Sequence, residues 1–146
     1  MTVTLANIRA GLAANLAGVV LSDGTVPQCS GYVLENPTAP SFDIEPGETS
    51  FDEAFNRGLD IWTMTVRALV AHNADVAAQQ KLDEMCAPSG AGSVKAAIES
   101  DRTLGGVAQT LKVTTRSGYR KIALYSRNEV FYLSTEWSVE IYASGS

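Results

Sequence analysis

Phe131-Tyr-Leu-Ser-Thr-Glu-Trp-Ser-Val-Glu-Ile141 sets the fold class of this chain. Phe131, Leu133, Trp137, Val139 and Ile141 alternate with Ser134, Glu136, Ser138 and Glu140, the period of a strand buried on one side. The same period extends upstream. Tyr119 to Tyr125 reads as a strand joined to the last one by a turn at Ser126 to Asn128. Leu111 and Val113, alternating with Lys112 and Thr114, read as another strand, ended by a turn at Ser117-Gly118. In the first half, Trp62, Met64, Val66, Ala68 and Val70 oppose Thr63, Thr65 and Arg67 within Leu59 to Ala71. Short turns between consecutive strands imply an antiparallel meander. One core layer is therefore expected to hold Trp62, Val66, Phe131, Trp137 and Ile141.

Helices flank this sheet. Leu5, Ile8, Leu12 and Leu16 recur at helical spacing, and Thr4 can cap a first helix that runs to Leu16. Ala74 to Ala87 reads as a second helix, with Ala78, Leu82, Met85 and Cys86 on one stripe. Pro88 to Gly92 breaks it, and Ser93 can cap a short third helix through Ser100, with Gly105-Gly106 at the exit. Between the first helix and Leu59 the reading is a short strand at Gln28 to Leu34 and an extended piece at Ser41 to Ile44. A turn at Glu45-Pro46-Gly47 and an exposed acidic loop at Asp52 to Gly58 follow. This order is α+β: a mainly antiparallel sheet with an N-terminal helix and two central helices packed on one face. Residues 1 to 146 form a single domain, since no repeat, low-complexity tract or long linker divides them.

The 146 residues are 45% apolar and 18% charged, ordinary for a globular domain. A net charge of −5 argues against a dedicated nucleic-acid binder. Two cysteines, Cys29 and Cys86, are too few for a disulfide framework or a four-thiolate zinc site. Ala10 to Leu21 is apolar but far short of the ~20 residues that cross a bilayer. It reads as part of the first helix, so no membrane role is expected.

Catalytic constellations are equally sparse. A Ser–His–Asp arrangement would have to use His72, the single histidine, and no serine lies in a strained G-x-S-x-G turn. Cys86 falls on a helical stripe and Cys29 in a strand, as small core residues do. Asp52/Glu53 and Asp83/Glu84 are sequence neighbours, which do not face one another as an acid–base pair must. Gly90-Ala91-Gly92-Ser93 precedes a helix but lacks the spacing and terminal Lys-Ser/Thr of a phosphate-binding loop. No catalytic, cofactor-binding or metal-ligating residue is assigned, and no enzymatic activity is expected.

Charge, by contrast, is segregated. Glu35 to Asp60 holds seven acids (Glu35, Asp43, Glu45, Glu48, Asp52, Glu53, Asp60) and one base, Arg57. Arg102 to Asn128 holds six bases (Arg102, Lys112, Arg116, Arg120, Lys121, Arg127) and no acid. The two segments either neutralise each other within one copy or form complementary surfaces that meet between copies. In the second case Arg116, Arg120, Lys121 and Arg127 would face Asp52, Glu53 and Asp60 of a neighbour.

A further pattern lies in Ser93-Val-Lys-Ala-Ala-Ile-Glu-Ser-Asp-Arg-Thr-Leu-Gly-Gly-Val107: a short helix, an acid, then Thr-Leu-Gly-Gly before β-structure. This stretch, the Ala/Gln-rich helix before it and the closing Glu136 to Ile141 strand resemble the tail-terminator (tail-completion) proteins of long-tailed bacteriophages. The resemblance spans nearly the whole chain and contains no catalytic signature. It implies a structural virion protein, assembled in the host cytoplasm and located at the tail or neck. Such proteins form a ring, usually of six copies, on the head-proximal end of the tail tube. The ring stops tube polymerisation and joins the major tail tube protein to the head–tail connector or stopper, with DNA only as passing cargo. The alternative is another head–tail joining protein, a stopper, or a minor tail protein.

Overall fold

The computed structural model describes residues 3–22, 24, 26–29, 31–32, 40–51, 59–71, 76–124 and 130–144; for residues 71, 77, 78, 121–124, 130, 131 and 144 only the backbone is described. The elements are α1 (Leu5–Leu16), β1 (Gln28–Cys29), β2 (Ser41–Ser50), β3 (Leu59–Ala71), α2 (Val76–Met85), α3 (Val94–Ile98), β4 (Thr110–Leu124) and β5 (Val130–Ser144). They build a five-stranded sheet in the order β1-β2-β3-β5-β4. Every pairing is antiparallel except β1 with β2, so the sheet is mixed and the architecture is α+β as expected.

Period-two alternation has its expected consequence in β3 and β5. Met64 lies opposite Val139, Val66 opposite Trp137 and Val70 opposite Leu133, all on one face. Helix α2 packs over β3 and β5, while α1 packs over β2 and against α3. From the helices, Ile8, Leu12, Leu16, Leu82, Met85, Val94 and Ile98 close the layer. Each such side chain contributes roughly 1.5–3 kcal/mol of transfer free energy. Val66 and Ile141 are fully buried and Trp137 is 2% exposed. Trp62 is only half-buried, its indole edge-on to Phe51 at 6.1 Å between centroids. The side chain of Phe131 lies outside the described residues. Leu5 is exposed, so the buried stripe of α1 begins at Ile8.

Both helix caps form as their residue types require. Thr4 Oγ1 accepts from the Asn7 amide at 3.1 Å, and Ser93 Oγ accepts from the Ala96 amide at 3.1 Å. Helix α3 ends at Ile98 rather than Ser100, and β1 is described only over Gln28–Cys29.

Two expected turns are instead bulges within longer strands. Ser117-Gly118 does not reverse the chain: β4 continues to Leu124, and Gly118 and Tyr119 together oppose Thr135. Gly118 has φ +70°, the left-handed conformation that a glycine-led bulge shares with a tight turn. The pairing of Thr110–Leu124 with Val130–Ser144 is therefore one long hairpin, not a three-strand meander. Likewise β2 runs through Pro46 to Ser50, with Gly47 and Glu48 opposite Thr63. Pro46 is tolerated there because, among the described residues, β1 pairs with Ser41 and Phe42 and no strand pairs with the outer edge of β2 at Pro46. The expected loop at Asp52 to Gly58, His72 and the turn at Ser126 to Asn128 lie outside the described residues.

The Thr-Leu-Gly-Gly motif has a structural role. Leu104, Gly105 and Gly106 all adopt positive φ, at 51°, 71° and 100°. The Asp101 carboxylate holds this turn, accepting from the Thr103 amide and hydroxyl and from the Gly105 amide. Those donors, the Thr103 hydroxyl foremost, lower the pKa of Asp101. Leu104 is thereby driven against α1 at Gly11, where an added Cβ would lie 2.7 Å from Leu104 Cβ.

Candidate functional site

Strand order decides where the segregated charges lie. β2, with Asp43, Glu45 and Glu48, is separated from β4, with Lys112, Arg116 and Arg120, by the two strands β3 and β5. At ~4.8 Å per spacing, about 14 Å of sheet intervenes, too far for direct pairing across one copy. The acids of β2 do not neutralise the bases of β4.

The neutralising acids come from elsewhere. Arg120 Nη2 lies 4.0 Å from Glu136 Oε1, and Lys112 is directly opposite Glu140 in the β4–β5 register. Asp43 instead receives a two-pronged guanidinium from Arg67, at 2.6 and 3.2 Å, on the face away from the helices. Alternation along β5 places Glu136 and Glu140 on one side. Pairing β5 with the preceding strand in a hairpin would have shown the match.

After these pairings, uncompensated charge remains on both flanks. Arg116 is exposed; its Nη1 donates to Thr135 Oγ1 at 3.1 Å, and it pairs with no carboxylate among the described residues. Glu45 and Glu48 are exposed on the free edge of β2 and pair with no cation among the described residues. Asp60 is only 6% exposed, so it does not belong to an outer contact surface. The side chain of Lys121, and Arg127, Asp52 and Glu53 altogether, lie outside the described residues.

Neither flank is an open strand edge along its whole length. Glu99 Oε2 accepts from the Val113 amide at 3.1 Å, and Arg102 Nη1 donates to the Leu111 carbonyl at 3.4 Å. These side chains occupy backbone groups that β4 would otherwise offer to an added strand. Burial alone would push Glu99 up. Donation from Lys95 Nζ at 2.7 Å and from Val113, with the charges of Lys95 and Arg102, brings its pKa below the ordinary value instead. On the opposite flank, Pro46 and the bulge beside it interrupt β2.

Neither thiol is in a setting that favours the thiolate. Burial, then the charge of Asp43, pushes Cys29 up to about 11. Burial also raises Cys86, against a downward pull from Arg116. Both are free and partly buried against the core. Among the described residues no group of three or more His, Cys, Asp or Glu side chains could hold a metal ion, and no helix is long and apolar enough to cross a membrane. Comparisons with models of known protein families and with curated protein sequences return no match.

Proposed function

We propose that this chain is a non-enzymatic structural subunit that associates head to tail into a ring, as phage tail terminators do. In this reading the ring caps the head-proximal end of a tail tube, stops its growth and meets the head connector, leaving a channel through which DNA passes. The observation that supports it is charge left unmatched among the described residues on opposite flanks of one sheet: Glu45 and Glu48 beside β2, Arg116 beside β4. One copy cannot bring these flanks together, whereas consecutive copies can. Such heterologous contacts close into a ring when the rotation per copy divides the circle. Exposed ion pairs contribute only about 0–1 kcal/mol each, so they set orientation and encounter rate while apolar area supplies affinity.

Deleting the gene from its own genome and imaging the particles tests the reading. Overlong or unjoined tails are the expected result. Heads that leak DNA would move the chain to the stopper class, and normal particles would overturn a role in the neck.

A further inference from the structure

A second feature lies on the basic flank. Between α2, α3 and β4 there is a cleft of about 160 Å³ whose apolar lining is Pro88, Val113 and Trp137, with Lys95 and Arg116 among the remaining lining residues. Its volume is close to the roughly 150 Å³ of an apolar cavity that accepts a benzene ring. Lys95 is already paired with Glu99, whereas among the described residues Arg116 pairs with no carboxylate and donates to the Thr135 hydroxyl. An aromatic ring carried next to a carboxylate matches this combination of shape and charge.

The opposite flank of the same chain carries such a group. Phe51, immediately after β2, is 66% exposed, the highest value among the exposed large hydrophobic residues described. Exposed Glu48 precedes it, and Asp52-Glu53 follow it in sequence. Its ring stands against Trp62 on β3, and Trp62 is in register with Ile141 and Leu111. Phe51 therefore sits with β5 between it and β4, beside the Leu111 end of that strand. It does not line the cleft of its own copy. Knob and cleft lie on the same helix-covered face but towards different edges of the sheet, β2 and β4, an arrangement that a head-to-tail contact can use.

We propose that the cleft between α2, α3 and β4 receives the Phe51 side chain of a second copy, with exposed Glu48 of that copy towards Arg116. This inference rests on the head-to-tail reading above and names the residues that make its contact. The aromatic ring enters a partly desolvated pocket with arginine at its mouth, the composition typical of residues that dominate binding energy. The Glu99–Arg102 cover occupies the Val113 amide and Leu111 carbonyl of β4 beside the cleft, which favours side-chain insertion over strand addition at that place.

The test uses the full chain, with assembly followed by native mass spectrometry and sedimentation. Phe51→Asp removes the knob. Thr114→Trp fills the cleft without altering its charge, and Arg116→Glu reverses the charge while leaving the cleft open. All three positions are exposed, and an unchanged thermal midpoint confirms folding of each variant. Each should raise the concentration needed for assembly roughly 30-fold or more. An equimolar mixture of Phe51→Asp and Thr114→Trp should form a discrete dimer, because one intact knob and one intact cleft remain. Wild-type assembly by Phe51→Asp or Thr114→Trp would overturn this contact and leave the ring standing. A wild-type chain that stays monomeric, alone and with tail tubes, would remove both.

Discussion

On the helix-covered face, β3 and β5 set Met64, Val66, Val139 and Ile141 into an apolar layer. At the flanks, β2 and β4 expose Glu45, Glu48 and Arg116 to solvent and break their own regularity with bulges. The face buries its side chains within one copy, so changes there act on folding. Among the described residues the flanks leave charge unmatched and an aromatic ring largely exposed, so changes there should act on assembly with little effect on folding.

The largest effect is expected at the centre of the covered face. Trp137→Ala should lower unfolding free energy by about 3–5 kcal/mol in a denaturant titration, because its neighbours cannot collapse into the space. A cost below about 1 kcal/mol would mean that the face is not the stabilising layer. Next comes the reverse face, where Asp43 is nearly buried and Arg67 partly so. Asp43→Asn leaves that guanidinium without its carboxylate and should cost about 1–3 kcal/mol, less than a fully buried pair because Arg67 still reaches water. No change would place the pair in the class of ordinary surface contacts.

Gly11→Ala probes how α1 reaches the face. Alanine is the better helix former by about 1 kcal/mol, yet its methyl would overlap Leu104. A net loss of about 1–2 kcal/mol is expected, and a gain would show that the Leu104 turn yields readily.

Acid gives a smaller, directional effect at the join between face and flank. The pKa of Glu99 in the folded chain lies below its ordinary 4.5. Its contribution is therefore present above that pH and is lost as pH falls through the folded value. The stability advantage of the wild type over Glu99→Gln should be full at about pH 6 and vanish towards about pH 3. An advantage that grew on acidification would reverse the sign of this account.

How much of this was legible in the sequence differs between the same two regions. The face was readable because its alternation is local: each residue of Phe131 to Ile141 declares its side by parity alone. The bulges were not, since a left-handed glycine at Gly118 or a proline–glycine pair at Pro46-Gly47 suits a turn as well as a bulge. Only the pairing register distinguishes them. Trp62 obeys the alternation yet is half-buried: parity gives the face of a side chain, not how much packs over it, here the ring of Phe51 in a T-shaped contact. Charge was misjudged for a related reason. The segments were compared along the chain, whereas Lys112 and Arg120 find Glu140 and Glu136 across a hairpin. The Phe51 knob and the Trp137 cleft were invisible because each depends on what tertiary packing leaves exposed.

The central claim is that the two flanks meet between copies, and reversing their charges separately tests it most directly. A Glu45→Lys/Glu48→Lys chain is positive on both flanks, and an Arg116→Glu chain is negative on both. Native mass spectrometry should find each alone impaired in assembly, with closed rings of alternating chains restored when they are mixed at equal concentration. Wild-type rings from either chain alone, with its fold unchanged, would contradict the account.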